Sequence, residues 1–251
     1  MARNGGALWI IGGLLEGEAR YVLWGLAAAV AFSAPVIGYY VPGLGRSRTS
    51  EWTAQGGHLA ERCRLFIIIA LGESLLVTGT TFGEIEASTA TMSALMVAFL
   101  GSVALWWIYF ERSAEAAREI ISSSEDPGRL ARSAYTYFHI PMIAGIISVA
   151  ASDELTVAHP GEHGTLASVA LILGGTALFV AGHAFFKWIM FRLLLWSRMF
   201  AIAALAMLIP VGFVIPTLAL GGAAGLIVVV LAVWDTVAYR GRARSLQQPT
   251  T

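Results

Sequence analysis

A histidine, two carboxylates and a guanidinium share one apolar stretch of this chain. His58, Glu61 and Arg62 lie in His58-Leu59-Ala60-Glu61-Arg62, and Glu73 follows in Leu71-Gly72-Glu73-Ser74 with no helix breaker between them. An imidazole titrates near neutral pH, and a Glu–Arg pair can break and re-form as charge moves past it. In hydrocarbon each such group costs on the order of 3 kcal/mol by insertion scales, so it faces a cavity or a partner. At about 100° per residue, Arg62 falls at about +40°, Glu73 at about +60° and Glu61 at about −60° from His58, all within one half of the helix. Leu65, Ile69 and Leu76 complete that face. Glu73 lies about 22 Å further along the axis than His58. It is too deep to snorkel, so it must be protonated or partnered, which suits a proton carrier.

Other apolar segments add ionisable groups. His139 opens one in Tyr135-Thr136-Tyr137-Phe138-His139-Ile140-Pro141, about 11 Å past Arg132. His183 follows Gly182 near the end of another, and Asp235 sits in Val233-Trp234-Asp235-Thr236. Each also has a plainer reading. Glu61 and Arg62 can form an interfacial pair, Asp235 can pair with Arg240, and His139 and His183 can be satisfied by carbonyls near kinks such as the one at Pro141. A further set, His159-Pro160-Gly161-Glu162-His163, has metal-ligand residue types but turn spacing, and reads as an exposed loop.

The elements that hold these groups are membrane spans. Of 251 residues, 57% are hydrophobic and 13% charged, with mean hydropathy +0.72; soluble domains carry about 25% charged residues. A span needs roughly 20 apolar residues. Segments 19–40, 58–82, 90–110, 132–151, 165–187, 197–217 and 221–239 meet that length. The fold expected is all-α, a polytopic membrane helix bundle of about seven transmembrane helices plus an amino-terminal helix stub. Residues 1–251 form one integral membrane domain, with 1–18 a short stub or interfacial helix and 240–251 a tail. Pro35, Pro141, Pro210 and Pro216 fall inside spans, where each removes a donor and tends to kink its helix. Small residues at four-residue spacing, Gly25, Ala29 and Ser33 in one span and Gly221 and Gly225 in another, read as internal packing contacts.

Charge orients the bundle. Arg46, Arg48 and Arg64 flank the first connection, and Arg112, Arg118, Arg129 and Arg132 the third. Lys187, Arg192 and Arg198 flank the fifth, and Arg240, Arg242 and Arg244 mark the tail. The alternate connections, Gly83–Thr89, Ser152–Gly164 and Leu218–Leu220, contain neither Lys nor Arg. By the positive-inside rule the tail is cytoplasmic, and His58, Glu61, Arg62, His139, His183 and Asp235 all belong to the cytoplasmic half. In the third connection, residues 114–121 read as a helical extension and 122–128 as a solvated turn.

The block from His58 to Arg62, running through Leu65-Phe66-Ile67-Ile68 to Leu71-Gly72-Glu73-Ser74, resembles the bacterial low temperature requirement A family of membrane proteins. So do Tyr135 to Pro141 with Ala144-Gly145-Ile146, and Gly182-His183 followed by Phe185 and Phe186. The resemblance implies a multi-pass protein of the bacterial inner membrane. It also implies a longer amino-terminal part with a helix of the type Glu-Leu-Phe-Phe-Asp-Leu-Val-Phe; nothing like it stands in this chain, so an upstream part is expected. The family name describes a growth phenotype and assigns no activity.

Composition narrows the function classes. Net charge is +0, so no basic field points to nucleic acid. The single cysteine, Cys63, forms no internal disulfide. The single lysine, Lys187, lies at a span boundary and not in the last span, which argues against a retinal Schiff base. The leading expectation is a proton- or ion-coupled transporter or channel, with a small ion or small molecule as substrate and His58, Glu61, Arg62, Glu73, His139, His183 and Asp235 as its site. The alternative is a membrane-embedded metal- or haem-binding enzyme using His58, His139, His183, Glu61 and Asp235. No HExxH or paired-Cys motif stands in the chain, and no particular cofactor is implied. A structural partner of another membrane protein, or a homo-oligomer, is compatible with the same sequence. The orientation is directly checkable. A green fluorescent protein fused after Thr251 is expected to fluoresce, and alkaline phosphatase fused there to be inactive; the reverse pattern inverts the bundle.

Overall fold

A computed structural model describes residues 2–36, 56–110, 120, 124, 129–130, 132–192 and 196–247, without the side chains of 2–5, 35–36, 56–57 and 239–247. The reading of 114–128 as a helix extension and turn therefore lies almost wholly outside the described residues, as does the side chain of Arg240. The chain divides into two compact units, residues 1–54 with 125–129, and residues 55–124 with 130–251.

The first unit is a helical hairpin. Helix α1 (Ala2–Leu14) returns on α2 (Glu18–Val36) through a tight turn at Gly17, whose φ of +68° is the left-handed region that glycine enters freely. Trp24 reaches back across the hairpin, its Nε1 donating to the Trp9 carbonyl at 3.3 Å, and Arg20 Nε donates to the Leu15 carbonyl at 2.7 Å. Gly12 makes room, since a Cβ there would lie 2.7 Å from the Trp24 ring. The segment expected as a stub or surface helix is thus a 13-residue helix packed on its successor. The last four residues of the expected span 19–40 lie outside the described residues.

The second unit contains α3 (Gly56–Glu84), α4 (Thr89–Phe110), α5 (Arg132–Ala158), α6 (Leu166–Phe191), α7 (Trp196–Met207) and α8 (Thr217–Gln247). Among the described residues five helices are long and apolar enough to cross a membrane: His58–Glu84, Thr89–Phe110, Arg132–Ala158, Leu166–Phe191 and Thr217–Ala238. Local sequence explains their starts. Ser88 and Thr91 exchange side-chain and backbone hydrogen bonds at the head of α4, and Thr165 and Ser168 do the same at the head of α6. The expected span 197–217 is not one helix. α7 ends at Met207 after 12 residues, a short turn of helix over Ile209–Gly212 follows, and α8 begins at Thr217. Pro210 and Pro216 each lack the N–H that a continuous helix needs, so the chain breaks there. A second correction concerns the connection expected to begin at Ser152: α5 stays helical to Ala158.

α5 is the hub, touching α3, α4, α6 and α8. Its closest approach is to α6. A Cβ at Gly145 would lie 2.6 Å from the Phe179 backbone nitrogen, one at Gly175 2.7 Å from Ser148 Cβ, and one at Gly182 2.8 Å from Met142. Where lipid and protein interior are equally apolar, such backbone proximity is what holds helices together. The small residues singled out from spacing behave otherwise. A Cβ at Gly25 or Gly225 would meet nothing within 4 Å, and one at Gly221 only Val97 at 3.9 Å. Gly145→Val is expected to cost about 1–3 kcal/mol by overpacking, seen as a lower Tm in detergent. Gly79→Ala, at a position with open space, should leave Tm unchanged or slightly raised.

Candidate functional site

The interior of the second unit holds a run of polar and aromatic side chains from α4 across α5, α6 and α7 to α8. It begins with a π-helical turn over Arg132–Tyr137, just before His139. Pro141 deprives the preceding turn of one donor, and the widened turn is seen in Phe138 N–H bonding to the Ser133 carbonyl at 3.3 Å. The buried His139 ring then pairs its Nδ1 with the Ala134 carbonyl at 2.9 Å. A carbonyl only accepts, so Nδ1 carries a proton. In the neutral ring Nε2 must accept, and the Tyr109 hydroxyl, 2.9 Å away at the end of α4, donates to it. Tyr135 lies over the same imidazole, ring centroids 5.5 Å apart. Below it, Cys63 Sγ on α3 donates to the Tyr135 carbonyl at 3.2 Å.

Phe186 packs against both histidines. Its ring centroid is 5.5 Å from His139, edge to face, and 6.4 Å from His183, nearly parallel to the latter at 12°. His183 is 1% exposed and receives Arg198 Nη2 on Nδ1 at 3.2 Å. Guanidinium only donates, so here Nδ1 accepts and, in the neutral ring, the proton sits on Nε2. The two histidines thus hold opposite tautomers, each set by its partner.

Arg198 is fully buried, 0% exposed. It clasps Asp235 with both ends of its fork, Nη2 to Oδ2 at 2.6 Å and Nη1 to Oδ1 at 3.3 Å. Lys187 Nζ lies 3.7 Å from the same Oδ2, and Ser197 Oγ donates to Oδ1 at 3.3 Å. Two cations and one carboxylate therefore share a nearly dry space. Taking such charges from water costs several kcal/mol per ion, and the bidentate geometry is what makes the cluster tolerable.

The residues expected from sequence divide into two groups. His139, His183 and Asp235 come together in this run. His58, Glu61, Arg62 and Glu73 do not join it: all four are exposed on α3, away from its buried face of Ala60, Ile67, Leu71, Ser74 and Thr78. Glu61 pairs with Arg64, not Arg62, at 3.9 Å, and Arg64 lies over the Phe110 ring. The loop at 159–163 is an exposed turn, with His159 Nδ1 3.6 Å from Glu162 and the backbone tied to Thr217. Among the described residues no three His, Cys, Asp or Glu side chains come close enough to hold a metal. Sequence reasoning missed Tyr109, read Arg198 and Lys187 only as boundary markers, and named Phe186 only within the family resemblance. A lone Arg and a lone Asp at the ends of consecutive apolar segments were the available signal.

Removing one charge should expose how the cluster is balanced. Asp235→Asn leaves Arg198 and Lys187 buried without their carboxylate and is expected to destabilise by about 3–5 kcal/mol. The double change Arg198→Met with Asp235→Leu should recover part of that loss, read by thermal unfolding in detergent. Tyr109→Phe, which deletes one neutral hydrogen bond, should cost about 1 kcal/mol.

Comparison with known proteins places this geometry in a family. The model of the bacterial low temperature requirement A protein (LtrA) family matches residues 4–233. An uncharacterised protein of Rhizobium meliloti (strain 1021) is 37% identical over 238 residues, 94% of this chain. The chain spans 58% of that relative's length. No solved structure matches. With nearly its whole described length inside the match, the chain belongs to the bacterial low temperature requirement A family, as a multi-pass membrane protein.

Proposed function

We propose that this protein is a proton- or ion-coupled transporter or channel of the bacterial inner membrane, with its carboxyl-terminal end in the cytoplasm. The observation that carries the reading is the fully buried Arg198, bound to Asp235 and His183 and backed by Lys187. Ionisable groups inside a span are expensive, and their usual use is an ion or proton pathway. The Lys and Arg distribution puts this cluster on the cytoplasmic side. His183 shares Arg198 with Asp235, so any change in the ring's charge alters the ion pair beside it. Phe186 packs against both imidazoles and lays an apolar surface beside them, the kind of element that gates by excluding water.

Glu73, with His58, Glu61 and Arg62, lies on the outward face of α3. In this reading its carboxyl serves the pathway when another helix or a second copy covers that face. The metal-enzyme alternative has no observation in its favour, since no ligand set assembles among the described residues.

The test is proton flux into proteoliposomes of the full chain, followed with an internal pH dye under an imposed membrane potential. The parent should exceed empty vesicles, and His183→Gln should lower the rate at least tenfold at equal incorporation and equal Tm. A parent no faster than empty vesicles with protons, Na⁺ and K⁺ alike, or a folded His183→Gln equal to it, sinks the reading. Glu73→Gln is the second arm. Lost flux assigns the outward carboxyl to the pathway, and unchanged flux confines the pathway to the bundle interior.

A further inference from the structure

We infer that Asp153 and its hydroxyl neighbours form a binding site for a small monovalent cation, of the Na⁺ class, at the far end of the bundle from the His–Arg–Asp cluster. Asp153 stands on α5 about 21 Å along the axis from His139. It lines a cavity of about 30 Å³ walled by α4, α5, α6 and α8. That space exceeds the roughly 10–15 Å³ that one water needs. Gly101, Gly221 and Gly225 border it, and a Cβ at Gly101 or Gly225 would meet nothing within 4 Å. The small residues on α4 and α8 thus leave room here instead of closing it.

The chemistry of the walls selects the occupant. Ser152, Thr156 and Thr176 each give their hydroxyl proton to a carbonyl of their own helix, at 2.7 Å in all three cases. Their remaining lone pairs can only accept. Asp153 Oδ2 is shielded from solvent and has no hydrogen-bond partner. No other ionisable side chain lines the cavity from α4, α5, α6 or α8, and none of its lining side chains carries an N–H. An acceptor-only space with one carboxylate lacks a positive charge. A single carboxylate matches a monovalent ion, whereas Ca²⁺ takes six to eight oxygens and Mg²⁺ keeps a demanding octahedral shell. Oxygen-only walls suit a hard alkali cation such as Na⁺.

The test is equilibrium binding of ²²Na⁺ to the full chain in detergent, at fixed pH and constant ionic strength maintained with choline chloride. The parent should bind about one ion per chain saturably, and its Tm should rise with Na⁺. Asp153→Asn should weaken binding at least tenfold, and Thr176→Val several-fold, with folded protein in both. Should Asp153→Asn fail to fold, Gly225→Leu fills the cavity while keeping the carboxyl and should abolish binding. No saturable binding by the parent, stabilisation by protons without Na⁺, or binding that survives Asp153→Asn or Gly225→Leu overturns the proposal. Binding at equilibrium needs no transport, so this result and the flux result stand or fall separately.

Discussion

A bilayer offers no water to a buried charge, so Arg198 and Asp235 must find their partners within the protein; both ends of the Arg198 fork are met, while its Nε is not. Much of the second unit serves that requirement. α6 supplies Lys187 and His183, α7 supplies Arg198 and Ser197, and α8 supplies Asp235. Each helix end is placed where its polar group finds a partner, and none of the three could bury its group alone. The break between α7 and α8 belongs to the same logic. Prolines at 210 and 216 turn the chain back so that Arg198 and Asp235, on consecutive helices, meet at one depth.

The second constraint is the closeness of α5 and α6. Glycines at 145, 175 and 182 let the two backbones touch, and this contact carries both histidines. Phe186, on the same helix as His183, meets both imidazoles. The π-helical turn at the start of α5 then aims His139 at Tyr109 on α4. One rigid pair of helices thus sets the ring geometry, while the longer reach of Arg and Lys spans the wider gap to α7 and α8. α5 also holds Asp153 near its other end, so the same hub carries polar groups at two depths.

How much of this could be read in advance depended on the kind of signal. Apolar length identified the long helices α3, α4, α5, α6 and α8, because a span's length is a local property. It failed at 197–217, where hydropathy stays high across two prolines that stop the helix. It failed again at Ser152, where the connection was expected to begin, although no breaker stands before His159-Pro160 and the helix runs to Ala158. On α3, His58, Glu61, Arg62 and Glu73 are all exposed, while Ala60, Ile67, Leu71, Ser74 and Thr78 are buried. Helical periodicity says which residues share a face; it does not say whether that face meets the core.

The chain by itself determined that it is helical, membrane-spanning and of the low temperature requirement A family, since composition, span length and residue order are properties of the string. It also singled out His139, His183 and Asp235 as costly groups in apolar surroundings. Only tertiary structure decided their partners. Tyr109, Arg198 and Lys187 are distant in sequence, and long flexible side chains find one another through helix placement that no local pattern encodes. The structure likewise decided that glycines at 145, 175 and 182 make contacts while those at 221 and 225 border a cavity, because a missing Cβ permits either outcome and the neighbouring helix chooses.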